Sequence, residues 1–406
     1  MKKYYLDITF SLLPVLCVAQ QQVTTTLASN YYSPSISANA SVIAYYSATT
    51  PSQIIVQTGG TTTTITSSLD GCCSRPYVSR DGSAVTFYAR ANATSDVEPY
   101  IAEAPTWALK QISTPSNTAS DDYTGDPPTT SDNQGTVSSP LHYVAYDGLN
   151  HVGGKNPIYP QIYVWNESTL ASLVASQTSL HASANSGCSI PVINSNGTDL
   201  AFVTLATNLG GGNGGATTSV FYSALSGGSW SVTSCPSGTL SSATWPSLSS
   251  NGQVLVFQAN AEVYEWTPTS GPTIPYPLAG VIGSGPHALT ECPSISPDGT
   301  AMLVMSNRNF TNSSAIDPYI GPGGVGQVGI ECTFLLSLTG ADPYLESWDY
   351  RSATSPPPGS QTACVLLEAN YGSISNAVSG IYHGVFYGGE QYITPSQTSA
   401  TDIFIF

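Results

Sequence analysis

Hydrophobic and polar positions alternate along this chain in short runs, and each run stops at Gly, Pro, Asn, Asp or Ser. Alternation with a period of two marks a strand buried on one face, and a short unbroken apolar run marks a strand covered on both. Two such runs are repeatedly joined by Asp-Gly or Asn-Gly, the dipeptides that supply the positive φ angles of a tight hairpin turn. The pattern predicts an all-β chain built from hairpins.

One phrase recurs about every 40 to 60 residues, so the chain contains internal repeats. It begins Pro-x-φ-Ser (φ apolar), passes through the turn and enters an apolar strand. Its clearest copies are Pro76-Tyr77-Val78-Ser79-Arg80-Asp81-Gly82 before Val85-Thr86-Phe87-Tyr88, and Pro293-Ser294-Ile295-Ser296-Pro297-Asp298-Gly299 before Met302-Leu303-Val304-Met305. Pro246 to Gly252 and Pro191 to Gly197 are two more, and Pro34 to Ala40 is a fifth with the glycine lost. After a variable loop comes a third strand, as in Gln53-Ile54-Ile55-Val56, Gln161 to Trp165, Ser219 to Tyr222 and Glu262 to Trp266, with a weaker fourth behind it. Four antiparallel strands per repeat make one blade of a β-propeller.

These repeats resemble those of TolB-type, WD40-like β-propellers, whose pattern is a Pro, a Ser-x-Asp-Gly turn and an apolar strand. The loop Ala206-Thr207-Asn208-Leu209 running to Gly215 before Ser219 is similar to a loop of exported bacterial members, and Asp147 to Gly154 is a weaker copy. The resemblance covers roughly residues 33 to 320 and implies a propeller that presents loops to a partner. Copies beginning near Ser33, Arg75, Pro128, Ser189, Trp245 and Cys292, with a last one at Ser373 to Phe406, give seven blades; six and eight stay open. Phe334-Leu335-Leu336 is the candidate for an eighth. Residues 321–371 are set aside as an insertion, and Ser352 to Gly359 as a loop. Val23 to Leu27 is a candidate partner for the last blade, because a propeller closes by pairing its two ends.

Composition narrows the picture. Only 8% of the 406 residues are charged, about a quarter are Ser or Thr, and few Lys, Glu and Arg are left for exposed helix faces. A formal charge of −16 argues against nucleic acid or an anionic membrane as partner. Lys2 and Lys3 precede the apolar run Leu12 to Ala19, the pattern of a secretory leader cleaved after Ala19. Residues 1–19 are therefore expected to be removed, leaving one propeller domain over 20–406, secreted or, in a bacterium, periplasmic or on the cell surface. No later run is long enough to span a bilayer. Export permits disulfides, and Cys188–Cys235 and Cys292–Cys332 are the expected pairs, each closing one repeat. Sequons stand at Asn39, Asn92, Asn166, Asn196, Asn309 and Asn312, near the number that composition alone produces.

No GxSxG, HExxH, phosphate loop or EF-hand occurs. His142, His151, His181, His287 and His383 stand singly, so a packed or solvated role is expected of each. Asp121, Asp122, Asp126 and Asp132 fall in one polar loop that could hold calcium; no other cofactor is indicated. Trp107, Trp230 and Trp348 are the aromatics least tied to the strand pattern, and the ones free to stack on a sugar. The expectation is a secreted, non-enzymatic module for a protein or glycan ligand. The alternative is a structural protein that assembles with copies of itself into a filament or layer. A polysaccharide-active channel built on Asp81 or Asp298 ranks third, since turn geometry alone explains both residues.

Overall fold

Among the described turns, the serine of the phrase, or Asn194 in its place, ties the chain back on itself. Ser79 Oγ accepts from the amide of Ala84 at 3.0 Å while the Ser79 amide donates to the Ala84 carbonyl at 2.9 Å. Ser37 does the same with Val42 and Ser249 with Val254, and Asn194 uses its side-chain oxygen on the Asp199 amide. Short polar side chains that bond the backbone locally hold turns in this way. Ser131 makes the same pair with Tyr143, but across a much longer loop.

The computed structural model describes residues 21–22 and most of 31–306, with gaps at 38–40, 48–50, 72–75, 113–126, 137–139, 150–158, 261, 274–289, 296–298 and 300; beyond these it describes strands only. Strand β1 is Gln21–Gln22. Sheet 1 holds β2 (Tyr31–Ile36), β3 (Val42–Ser47), β4 (Gln53–Thr58) and β5 (Thr61–Thr64). Sheet 2 holds β6 (Tyr77–Val78), β7 (Ala84–Arg90), β8 (Val97–Glu103) and β9 (Ala108–Gln111). Sheet 3 holds β10 (Thr129–Thr130), β11 (Tyr143–Gly148), β12 (Gln161–Asn166) and β13 (Ala171–Val174). Sheet 4 holds β14 (Cys188–Ile193), β15 (Asp199–Thr204), β16 (Ser219–Ser226) and β17 (Ser229–Ser234). Sheet 5 holds β18 (Thr244–Leu248), β19 (Leu255–Ala259), β20 (Glu262–Thr267) and β21 (Ser270–Thr273). Sheet 6 holds β22 (Thr290–Ile295), β23 (Ala301–Ser306), β24 (Cys332–Ser337) and β25 (Ser347–Trp348). Sheet 7 joins β26 (Arg351–Thr354), β27 (Cys364–Asn370), β30 (Thr401–Ile405) and β1; β28 (Tyr382–Phe386) and β29 (Gly389–Ile393) form a separate hairpin between β27 and β30.

The described strands thus gather in seven four-stranded antiparallel sheets, in the arrangement of a β-propeller. The first strand of each sheet lies toward the axis, where hydroxyls of the Pro-x-φ-Ser phrase bridge neighbouring sheets. Ser35 Oγ accepts from the Val78 amide at 2.9 Å, Thr129 Oγ1 from Ile193 at 3.2 Å, and Ser247 Oγ from Ile295 at 3.0 Å. Strands β7, β11 and β15 are buried on both faces because each sheet is sandwiched between two others. Tyr88, Tyr146, Tyr163 and Trp165 fill one such interface. The turn glycines dock as well. Gly82 (φ +75°) lies so close to sheet 1 that a Cβ would meet Val42 Cγ2 at 2.9 Å, and at Gly252 (φ +72°) it would meet Asp199 Oδ2 at 2.9 Å.

Three expectations change here. Residues 321–371 are not an insertion, since they supply β24 to β27 of sheets 6 and 7; the inserted element is the β28–β29 hairpin. Phe334 to Leu336 lies in β24 of sheet 6, not in an eighth repeat, and Ser352 to Thr354 is strand, not loop. No copy of the phrase marks sheet 7, so its strands are set by their neighbours and by β1, which pairs Gln21 with Ile405 and Gln22 with Phe404. Val23 to Leu27 lies outside the described residues.

The expected Cys188–Cys235 disulfide is absent. Cys188 and Cys235 are free thiols. Cys188 opens β14 and Cys235 directly follows β17, the first and last strands of sheet 4, about 14 Å apart at three strand spacings, whereas a disulfide needs Cα atoms within about 7 Å. Cys292 lies in β22 and Cys332 in β24, and their side chains are outside the described residues. Burial pushes the Cys188 thiol up to about 12, so it has little thiolate character.

Two outcomes follow from this packing. Gly82→Ala is expected to cost about 2–4 kcal/mol in chemical denaturation, one part for the positive φ and the larger for the clash. Gly228→Ala, also at positive φ (+81°) but in open space, is expected to cost about 1 kcal/mol. Equal losses would remove the docking role. Alkylation without reductant should label Cys188 and Cys235 after unfolding, and leave Cys188 unlabelled in the native protein.

Candidate functional site

In a chain with 9 Lys and Arg against 25 Asp and Glu, charge is scarce, yet six charged side chains and one histidine line up between sheets 2 and 3. Glu103 closes β8, Lys110 lies on the edge strand β9, His142 precedes β11 and Glu167 follows β12. Arg80 and Asp81 belong to the β6–β7 turn, and Asp132 follows β10. Antiparallel order brings all of these to the same end of the sheets.

His142 is the centre and is fully buried. Its Nδ1 lies 3.1 Å from Glu103 Oε1 and 3.1 Å from Glu167 Oε2, and its Nε2 lies 2.9 Å from Ser83 Oγ. The Glu167 carboxylate also accepts the His142 backbone amide at 3.0 Å. Lys110 caps the outer side, 2.5 Å from Glu103 Oε2 and bonded to Glu167 Oε1. The order serine, histidine, glutamate has the outline of a nucleophile and its base.

Proton counting excludes that chemistry for Ser83. Ser83 Oγ lies 2.6 Å from Asp81 Oδ1, a group that only accepts, so its one proton points to Asp81. The Nε2 of His142 must then donate to Ser83, and Nδ1 must donate to the two glutamates. With both nitrogens protonated the ring is an imidazolium. Burial alone would lower its pKa, but the hydrogen bonds with Glu103 and Glu167 outweigh it and raise it to about 9. Burial opposes ionisation of Glu167 too, and is outweighed by its bonds, first with His142, that hold the carboxyl below the usual range. An imidazolium takes no proton from a serine, so Ser83 is not activated.

The line continues inward. Asp81 Oδ2 accepts the Asn133 amide at 2.8 Å, and the Asp81 amide donates to Asp132 Oδ1 at 3.0 Å. Burial raises the Asp81 pKa, but bonds from Ser83, Asn133 and Ser79 overcome it and leave it lowered; burial and then the Asp81 charge hold Asp132 above the usual range. Arg80 extends across the axis to the Leu248 carbonyl of sheet 5 at 2.5 Å. Around this mouth the Asp132 amide donates to the Ser195 carbonyl at 3.0 Å and the Ser195 amide to the Ser250 carbonyl at 3.1 Å, linking sheets 3, 4 and 5. Sheet 3 has the long loop here, and its tip at Gln134, Gly135 and Thr136 is exposed. Asn133 shapes it by accepting the Gly135 and Leu141 amides, and Gln134 Nε2 anchors it on the Ser195 carbonyl at 2.8 Å.

Other candidates lie elsewhere. Asp121, Asp122 and Asp126 are outside the described residues, and Asp132 turns to Asp81. Asp298, His151 and His287 are also outside, and His181 is exposed. Trp107 and Trp230 are buried in the core, which removes their faces from sugar stacking. Asn92 is exposed in the β7–β8 loop and Asn196 in the β14–β15 turn, at opposite ends of the sheets; Asn166 is partly buried. Asn92 Oδ1 accepts both the amide and hydroxyl of Thr94, as Asn166 Oδ1 does from Ser168. Asn39, Asn309 and Asn312 lie outside the described residues. Sequence reasoning treated His142 as a lone residue; the signal available was the concentration of rare charges in the second and third repeats.

No protein-family model matches the chain, and no curated protein matches it. Among solved structures it resembles TolB from Acinetobacter baumannii, at 20% identity and a TM-score of 0.37 over 60% of this chain and 53% of that one. A prolyl endopeptidase aligns at 10% identity and a TM-score of 0.50 over 92% of this chain and 50% of its own. An oligogalacturonate lyase from Vibrio parahaemolyticus aligns at 11% identity and a TM-score of 0.42 over 70% and 76%. The chain spans about half the length of the first two. The fold is that of a β-propeller. The expectation that the chain is not an enzyme is overturned, because a prolyl endopeptidase carries this fold.

The His142 network sets a pH window for stability. A raised histidine pKa stabilises fully below 6.5 and is lost as pH climbs through about 9; a lowered glutamate pKa stabilises above 4.5 and is lost in acid. Thermal melts should therefore show a plateau near pH 4.5–6.5 and a decline on the alkaline side. In His142→Gln the alkaline decline should flatten, and an unchanged profile would remove His142 from the account.

Proposed function

We propose that the chain is an exported binding propeller that takes a segment of a partner protein at the axial mouth on the β6–β7 turn side. The observation that carries this reading is the departure of sheet 3 from its repeats. Where the other described repeats use a tight turn, sheet 3 has a longer connection, whose described residues 132–136 are held by Asn133 and Gln134 and leave Gln134, Gly135 and Thr136 exposed near Arg80. Conserving the scaffold while one loop grows is how repeat folds carry binding. Arg80 supplies a planar set of donors, of which one meets the Leu248 carbonyl. A protein is favoured over a glycan because Trp107 and Trp230 are buried. Export rests on the leader pattern of residues 1–19.

Selection of displayed peptides against the secreted protein tests the reading, with a glycan array and light scattering run alongside. Enriched peptides should lose about tenfold or more in affinity with Arg80→Ala or Gln134→Ala, and be unaffected by Leu180→Ala, a site exposed elsewhere. Peptides indifferent to both mouth variants, glycan binding alone, or ordered chains of protein would each displace this reading.

A further inference from the structure

The cluster at the centre of the charged seam has a second use that does not depend on the partner reading. We infer that Glu103, His142 and Glu167 form a site for a divalent transition-metal ion, and that the Lys110 ammonium holds its place when no metal is bound.

Geometry comes first. His142 Nδ1 and one carboxylate oxygen from each glutamate all lie within 4.8 Å of one another, and Nδ1 is 3.1 Å from an oxygen of each. An ion about 2.0–2.2 Å from each of three ligands needs them roughly 3–3.5 Å apart, so the atoms move little to accept it. The three residues are buried and sit at the ends of strands in two adjacent sheets, so the spacing is fixed by the packing of sheets 2 and 3.

The surroundings also fit. Metal-bound histidines commonly donate their second ring N–H to an acceptor that fixes the ring, and His142 Nε2 already donates to Ser83, which in turn donates to Asp81. That chain needs no rearrangement when Nδ1 takes a metal. Charge balances too. Two carboxylates are now matched by an imidazolium and an ammonium; on binding, the Nδ1 proton leaves to solvent, the Lys110 ammonium swings outward, and the two charges of the ion replace them. No electron is transferred. Lys110 is the exposed member of the cluster, with 42% of its side chain open to water against 8% or less for the other three, so the route in is the one it covers. One nitrogen and two oxygens suit zinc, manganese or ferrous iron better than calcium, which takes six to eight oxygens. Three protein ligands leave a position for water or an anion.

The test uses the full mature protein, with Zn2+ or Co2+ alone as probes, followed by calorimetry and by the visible spectrum of bound Co2+. One ion per chain is expected, with a spectrum of mixed nitrogen and oxygen ligation. Lys110→Met removes the competing ammonium but keeps the stem, and should bind about tenfold or more tightly than the native chain. Adding Glu103→Gln and Glu167→Gln to it should abolish that site. Circular dichroism establishes that each variant is folded. Should Lys110→Met not fold, the native chain's Co2+ spectrum, present or absent, decides alone. Failure of the native chain to take up one ion, binding unchanged by Lys110→Met, or binding that survives loss of both glutamates would each overturn the assignment.

Discussion

The structure depends on how closely one sheet's turn can approach the next sheet. At Gly82 and Gly252 the positive φ and the missing Cβ are needed by the same residue, because the turn that reverses the chain also lies against the preceding sheet. A side chain there would push two sheets apart along their whole length, since a sheet is stiff and interiors are close-packed. The serine that ties each turn and the hydroxyl that reaches the neighbouring first strand work at that same short distance. Local turn chemistry and ring packing are therefore one constraint expressed in seven consecutive residues.

This explains how much was legible in the sequence. The phrase from Pro76 to Gly82, repeated, located the first strands of sheets 1, 2, 4, 5 and 6 because each of its residues answers a local need. Sheet 7 carries no such copy. Its strands are specified by what they pair with, and β26 at Arg351–Thr354 is consequently placed where Pro-rich sequence alone suggested a loop. Cysteine spacing misled for a related reason: one repeat is compact along the chain, yet its first and fourth strands stand three spacings apart.

The charged seam was illegible for another reason. Glu103, His142 and Glu167 are 25 to 64 positions apart along the chain, and none of them belongs to a recurring phrase. They meet because the third strand of sheet 2 ends beside the point where the second strand of sheet 3 begins. A buried histidine between two carboxylates is costly unless every proton has an acceptor, and here each does. Ser83 shows how little the outline of a site decides: its neighbours match those of an activated nucleophile, and the direction of a single hydroxyl proton reverses the chemistry.

The pairing of Gln21–Gln22 with Phe404–Ile405 has a consequence for the order in which the molecule is made. Contacts between residues so far apart in sequence form late, because a long loop must close before the strand is rewarded. Until β1 arrives, β30 presents an unpaired edge to its surroundings. Any strand delivered at that moment competes with β1 for it, so the last pairing to form is also the one that protects the edge.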